Sequence, residues 1–217
     1  MNHMKHTYFL FSFFLILLSS CNKGKKEPIA PITGITPFII EYNNPNILLN
    51  DIKPDTTIES FQVPNYFQID LNSDGQDDFK FSVFNMYAFG GLVLALSNLR
   101  VESLNKDSYI VVDSIFPHVD LHGDTIIHQS SVDSVYPKVF SLGDTITIHE
   151  HWENGNFNIL RSGWEIPPTD KHYYEGYWWN LDEKYIGIKC KGLIGWIKIG
   201  ISNNNRSIKI YEFALSK

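Results

Sequence analysis

The residues whose spacing is most specific for chemistry are Asp70-Leu71-Asn72-Ser73-Asp74-Gly75-Gln76-Asp77-Asp78, which fit the D-x-N-x-D-G-x-x-D pattern of a calcium-binding loop. Side-chain oxygens at alternate positions converge when the chain curls around a hard cation. Gly75 permits the sharp turn, and the backbone carbonyl of Gln76 can add a ligand. The expected ligands are therefore Asp70, Asn72, Asp74, Gln76 and Asp78, and the expected cofactor is a structural calcium ion. Where a helix-loop-helix sensor carries a bidentate glutamate at its twelfth loop position, this chain has Phe81. The flanks Phe67-Gln68-Ile69 and Phe79-Lys80-Phe81-Ser82-Val83 alternate as strands do, which predicts a strand-loop-strand staple with an affinity around 10⁻⁵–10⁻³ M. The competing account of the same residues is an Asx-rich turn without an ion.

Other groups carry weaker signals. His149 and His151 fall on one face of a predicted strand, with Glu153 nearby and His172 further along, but no third ligand has diagnostic spacing, and solvated histidines are the default expectation. All five tryptophans lie in the last third of the chain, and His172 to Trp179 is the densest aromatic cluster. Tyr174, Tyr177, Trp178 and Trp179 are candidates for a platform on which sugars stack; the alternative is that the rings fill the space between two sheets. Strand alternation would put Trp178 and Trp179 on opposite faces and so leave one free to be exposed. There is no G-x-S-x-G, H-E-x-x-H, P-loop or glycine-rich dinucleotide turn, so no catalytic residue is assigned and a non-enzyme is expected. Glu150, Glu153, Glu165 and Glu175 leave a glycoside hydrolase as an alternative, because such enzymes need only a carboxyl pair. Cys190 shares the face of Ile186 and Ile188 and is expected to be a buried core thiol.

These groups must be positioned by what lies around them. Residues 1–20 hold one fixed charge, Lys5, followed by the apolar run Tyr8 to Leu18, which is roughly half the length needed to span a bilayer and reads as a secretory signal. Leu18-Ser19-Ser20-Cys21 follows directly, small residues leading into a cysteine, which is similar to the lipobox of bacterial lipoproteins. That similarity implies cleavage before Cys21, acylation of its thiol, and a membrane partner reached through the lipid. Residues 21–37, with Lys23, Lys25, Lys26, Pro28 and Pro31, read as a tether, and 38–217 as one folded domain.

The whole chain of 217 residues is 43% hydrophobic and 14% aromatic, enough apolar content for a core and against disorder. A net charge of −6 argues against nucleic-acid binding, and two cysteines exclude a disulfide scaffold. From Phe38 onward short apolar runs alternate with Gly, Pro, Asn and Asp, without a helical stripe of 12 residues, which predicts an all-β fold: a single antiparallel β-sandwich or jelly-roll-like domain. The candidate strands are 38–42, 66–71, 79–86, 92–101, 109–112, 146–152, 157–161, 185–190, 194–201 and 207–213. Asn154-Gly155 is the strongest hairpin signal and pairs Trp152 with Phe157. A repeat offset by 20 residues, Asp113 to Val119 against Asp133 to Val139, suggests a duplicated β-unit. On Gly195-Trp196-Ile197-Lys198-Ile199, the isoleucines should point inward and Lys198 outward.

Taken together, the signal and lipobox, the Ile69 to Phe79 loop, Leu142-Gly143-Asp144-Thr145-Ile146, Lys184 to Ile188, Gly195 to Ile199 and Ile210-Tyr211-Glu212-Phe213-Ala214 resemble uncharacterised secreted proteins and lipoproteins of Bacteroidota. The resemblance spans most of the mature chain. It implies a calcium-stabilised β-rich exported domain of unknown function at the outer membrane, facing the periplasm or the surface; the residues together are read as a binding or structural module of the envelope, with a glycan or an envelope protein as partner. It carries over no catalytic residues. The basic Lys23 to Lys26 tether departs from the acidic run that often follows the lipid cysteine in surface-exported members.

Overall fold

The computed structural model describes residues 37–60, 63–88, 94–113, 135–165, 171–202 and 206–217, with backbone alone at 87–88, 94–95, 163–165 and 171–175. The signal, Cys21 and all of the tether but Pro37 lie outside them. Among the described residues there is no helix. The strands are β1 (Phe38–Ile39), β2 (Ile47–Glu59), β3 (Asn65–Ile69), β4 (Phe79–Ala88), β5 (Leu94–Ser103), β6 (Ser108–Asp113), β7 (Tyr136–Pro137), β8 (Thr145–Ile146), β9 (Trp152–Glu153), β10 (Asn156–Glu165), β11 (Lys171–Glu175), β12 (Lys184–Cys190), β13 (Leu193–Ser202) and β14 (Ser207–Ser216).

All pairings are antiparallel. Five strands form one sheet in the order β11-β10-β5-β4-β3, and a seven-stranded sheet runs β2-β14-β13-β12-β6-β7 with β9 also on β6. The two sheets pack as a sandwich, and none closes into a barrel. Period-2 alternation puts Phe79, Phe81 and Val83 of β4 with Leu99 and Val101 of β5 on the inner face of one sheet, against Ile186, Ile188 and Cys190 of β12 with Ile197, Ile199 and Ile201 of β13 on the other. The expectation of an all-β antiparallel sandwich matches this architecture.

The seven-stranded sheet is also covered on its other face. Ile194 and Trp196 of β13, Tyr185 of β12, Val111 of β6 and Ala214 of β14 pack under Phe38, Ile40, Phe140 and Ile146, held in place by the β1–β8 pair. Central strand β13 is therefore buried along nearly its whole length, as a two-sided strand must be, and Lys198 is the one charged residue in it. Gly187 leaves room for this second layer, since a Cβ there would meet Phe140 Cε2 at 3.1 Å and Ile146 Cδ1 at 3.3 Å as well as Val111 Cγ2 of the same sheet at 2.8 Å. Lys198 does lie opposite the isoleucines, but that face is closed over and the side chain is only 11% exposed. Its ammonium lies 3.0 Å from Glu183, 3.5 Å from Glu212 and 3.1 Å from the Tyr42 hydroxyl. Burial alone would lower its pKa; the hydrogen bonds to Tyr42 and Glu183 outweigh burial and hold it above the ordinary lysine range.

Several local expectations are overturned by non-local pairing. No strand spans 146–152: β8 ends at Ile146, the chain turns at 148–149, and β9 begins at Trp152. Nor does Asn154-Gly155 close a hairpin. Trp152 pairs with Val111 and Phe157 with Val101, so the dipeptide carries the chain from the seven-stranded sheet to the five-stranded one. Neither residue has positive φ, and the Asn154 amide donates instead to the carbonyls of Asn105 and Ser108 at 2.7 and 2.6 Å. Phe157, Ile159 and Leu160 are all buried, and satisfying them against β5 outweighs a local turn preference. Alternation does not predict strand β2, of whose 13 residues only Ile47 and Ile58 are buried; it is an edge strand carrying Lys53 and Pro54, with a register break opposite Tyr211. Most of the first copy of the 20-residue repeat lies outside the described residues. In the second, β7 leads through the turn at Gly143, φ +91°, to β8.

Two-sided burial makes a sharp prediction at Gly195. A Cβ there would lie 2.0 Å from the Ala214 carbonyl oxygen, a backbone atom of the paired strand that cannot step aside. Gly195→Ala should destabilise the fold by about 2 kcal/mol in urea unfolding, in the range of overpacked core substitutions. An unchanged midpoint would show that β13 and β14 are not held this tightly.

Candidate metal centre

The loop 70–78 is closed at its neck by strand pairing. Ile69 pairs with Phe79 across β3 and β4, and the Asp78 N–H donates to the Ile69 carbonyl at 2.7 Å. Ile69, Leu71 and Phe79 are buried and fix both ends to the main core. Ser73 at φ +60° and Gly75 at φ +86° supply the left-handed turns that curl the chain. Within the curl, Asp70 accepts the Gly75 N–H at 2.8 Å, Asn72 Oδ1 accepts the Asp74 N–H at 3.0 Å, and Asp74 Oδ1 accepts the Gln76 N–H at 2.9 Å. The strand-loop-strand arrangement expected of the sequence is the one observed, and Asp70, Asn72 and Asp74 share one small turn of chain.

Asp78 behaves differently. It is fully buried, and its oxygens accept the Leu71 N–H at 3.0 Å and the Asn105 amide at 2.8 Å, with the Ser108 hydroxyl at 3.4 Å. It therefore roots the loop in the connection between β5 and β6. From the other side comes the β12–β13 hairpin, whose two-residue turn Lys191-Gly192 has positive φ at both positions, +48° and +87°, the type I′ geometry that the sequence suggested for Asn154-Gly155. Asn72 Nδ2 donates to Cys190 Sγ at 3.4 Å, Lys191 N donates to the Asp107 carbonyl at 3.0 Å, and the Lys191 ammonium forms an ion pair with Asp74 Oδ2. Asn105, Ser108, Cys190 and Lys191 were not singled out as site residues because they reach the loop from 27 to 118 positions away. The one local hint was a lysine beside a glycine between two strongly β-forming runs.

The donor set suits a hard cation: every group in the curl is an oxygen, and a carboxylate accepting one or two hydrogen bonds keeps further lone pairs. The hydrogen-bond donors to Asp78 are all neutral, so a divalent ion in the loop would offset a buried charge that is otherwise costly by several kcal/mol. In the present conformation the three carboxylates do not converge. No group of three or more His, Cys, Asp or Glu side chains poised for a metal occurs among the described residues. Asp74 is turned toward Lys191, and loading an ion requires it to turn back.

The aromatic candidates are placed less favourably for a ligand. Trp178 and Trp179 lie in a turn after β11, so strand alternation does not apply to them. Trp178 is fully buried and donates its indole N–H to the Pro137 carbonyl at 2.9 Å, which leaves neither ring face for a sugar. Trp179 and Tyr177 are half-buried against the main core, and Tyr177 meets Tyr136 edge-on at 6.5 Å. Tyr174 sits opposite Ser162 on β11; its side chain lies outside the description, as does that of His172. His149 and His151 are exposed, and His151 faces Glu153 at 2.9 Å. The Glu150 carboxylate is held by Lys138 at 2.8 Å.

Cys190 is the buried thiol the sequence indicated. Burial, reinforced by the Asp78 carboxylate beside it, pushes its pKa up to about 12, against the ordinary value of 9.0. The native protein should leave it unmodified by a thiol reagent at pH 8 and yield one reactive thiol at this position on unfolding. Because the folded-state pKa is the higher, this group's contribution to stability is complete below about pH 9 and declines as the pH rises toward 12. Prompt native labelling would show that this corner opens freely. Compared with protein-family models, with curated proteins and with solved structures, the chain matches none of them.

Proposed function

We propose that the protein is a lipid-anchored module of the bacterial cell envelope whose sandwich is stapled by one calcium ion in the 70–78 loop. The observation that carries the reading is the loop itself: a D-x-N-x-D-G-x-x-D segment held between two paired strands, curled with Asp70, Asn72 and Asp74 in one turn, and rooted in the core by a buried carboxylate. Calcium would be held by Asp70, Asn72, Asp74, the Gln76 carbonyl and Asp78. Its role is structural, because the loop's neighbours Asn105, Ser108, Cys190 and Lys191 belong to the fold and supply no reacting group.

The anchor is Cys21, after the apolar run and small residues of a lipobox, and the likeness to Bacteroidota lipoproteins favours the outer membrane. A structural or binding role, with a glycan or an envelope protein as partner, agrees with the absence of catalytic motifs from the sequence; a net charge of −6 speaks against nucleic acid. The burial of Trp178 weighs against a sugar platform centred on that ring.

With a dissociation constant around 10⁻⁴ M, about 2 mM calcium stabilises the folded state by about 2 kcal/mol, or about 5 °C in melting temperature for a domain of this size. EDTA should reverse that shift, and Asp74→Ala should abolish it; a wild-type melt indifferent to calcium would end the calcium reading. Independently, wild-type protein expressed in a bacterium that processes lipoproteins should incorporate labelled palmitate and fractionate with membranes. Cys21→Ala should lose both, and label retained in that variant would refute the anchor.

A further inference from the structure

We infer that Lys191 is a tethered cation that holds Asp74, one predicted ligand of the loop, and sets the loop's affinity by competing with calcium for that carboxylate. The inference rests on the calcium reading above and adds to it a residue outside the motif. Three observations support it. The Lys191 ammonium is in direct ion-pair contact with Asp74 Oδ2, on the central carboxylate of the loop, while the other oxygen of Asp74 is already engaged by the Gln76 N–H. The segment that delivers the ammonium is fixed: a two-residue turn with left-handed φ at both positions, flanked by Cys190 paired to Ser108 and locked by the Lys191 N–H on the Asp107 carbonyl. And the same turn touches the loop a second time, through Cys190 and Asn72, so Lys191 arrives in register with a predicted ligand instead of sweeping solvent.

An ammonium seated on a ligand carboxylate does two things. Without metal it neutralises part of a segment that holds Asp70, Asp74, Asp77 and Asp78 within nine residues, and it keeps Asp74 turned away from the other predicted ligands. With metal it must be displaced, because a calcium ion and an ammonium cannot share Asp74 at contact distance without repulsion. Displacement lowers the affinity toward the weak end of such loops and frees the Lys191 side chain at the tip of the β12–β13 hairpin. The loop is then filled where calcium is plentiful and held by lysine where it is scarce.

The test uses the full chain in detergent and measures calcium binding by equilibrium dialysis, with the melting temperature in EDTA alongside. Lys191→Met should tighten calcium binding about five-fold and lower the EDTA melting temperature by about 2 °C, the scale of a partly exposed ion pair, and Lys191→Arg should behave as wild type. The affinity difference should shrink at about 1 M salt, where screening acts within a few ångströms. If wild type binds calcium and Lys191→Met binds it equally or more weakly, Lys191 does not compete and the inference fails while the calcium reading stands. Binding by Lys191→Met but not by wild type would establish competition in its strongest form. If neither binds up to about 10 mM, the calcium reading itself is overturned and this inference with it.

Discussion

One carboxylate taken wholly out of water organises this corner of the molecule. Asp78 ends the 70–78 loop, begins the neck that leads into β4, and accepts hydrogen bonds from the loop's own Leu71 and from Asn105 in the connection between the two sheets, with Ser108 of β6 at 3.4 Å. A buried charge is tolerated only when donors surround it, and the donors here come from two separate pieces of chain, the loop itself and the segment that leads into β6. Meeting that requirement fixes the loop relative to the sandwich. It also explains why Cys190, at the end of β12, is buried between Asn72 and Asp78 with its thiol held protonated. The apolar core gives the sandwich its bulk, and this polar knot sets where the loop sits on it.

The second constraint is the two-sided burial of the seven-stranded sheet. Packing against the five-stranded sheet accounts for one face; Phe38, Ile40, Phe140 and Ile146 account for the other, and they come from short stretches that form only the two-residue strands β1 and β8 or none. Such a layer has little secondary structure of its own and derives its stability from what it covers. The glycines at 187 and 195 are the places where that layer and the neighbouring strand come closest, and Lys198 marks the rim where polar groups take over. The T-shaped contacts of Trp196 with Tyr185 and Tyr42, at 5.0 and 6.3 Å, tie this rim back to the second core.

How much of this could be read from the sequence depended on distance along the chain. Period-2 alternation found the strands around Phe81, Val101, Ile188 and Ile197 because each shows its own buried face. The calcium-type motif was legible because all its expected ligands lie within nine residues. Alternation failed where pairing is decided elsewhere. Trp152 and Phe157 flank a favourable turn dipeptide yet belong to different sheets, and β2 is a strand because β14 offers it an edge, not because its own residues alternate. The site was half legible for the same reason: Asp70, Asn72 and Asp74 announce themselves, but Asn105, Ser108, Cys190 and Lys191 become neighbours only through the register of β5, β6, β12 and β13. Trp178 carried a misleading signal. Its neighbours are aromatic and polar like a binding surface, and only the carbonyl of Pro137 shows that its indole is satisfied inside the fold.

The central claim, that this knot is the lower half of a calcium site, is tested most directly by the stoichiometry of calcium bound to the wild-type chain at equilibrium. The account predicts one ion per chain, with a dissociation constant around 10⁻⁴ M and no comparable uptake of magnesium, whose octahedral demand this curled loop does not meet. Uptake of no calcium up to about 10 mM would contradict it and leave 70–78 as an Asx-rich turn held only by its own hydrogen bonds.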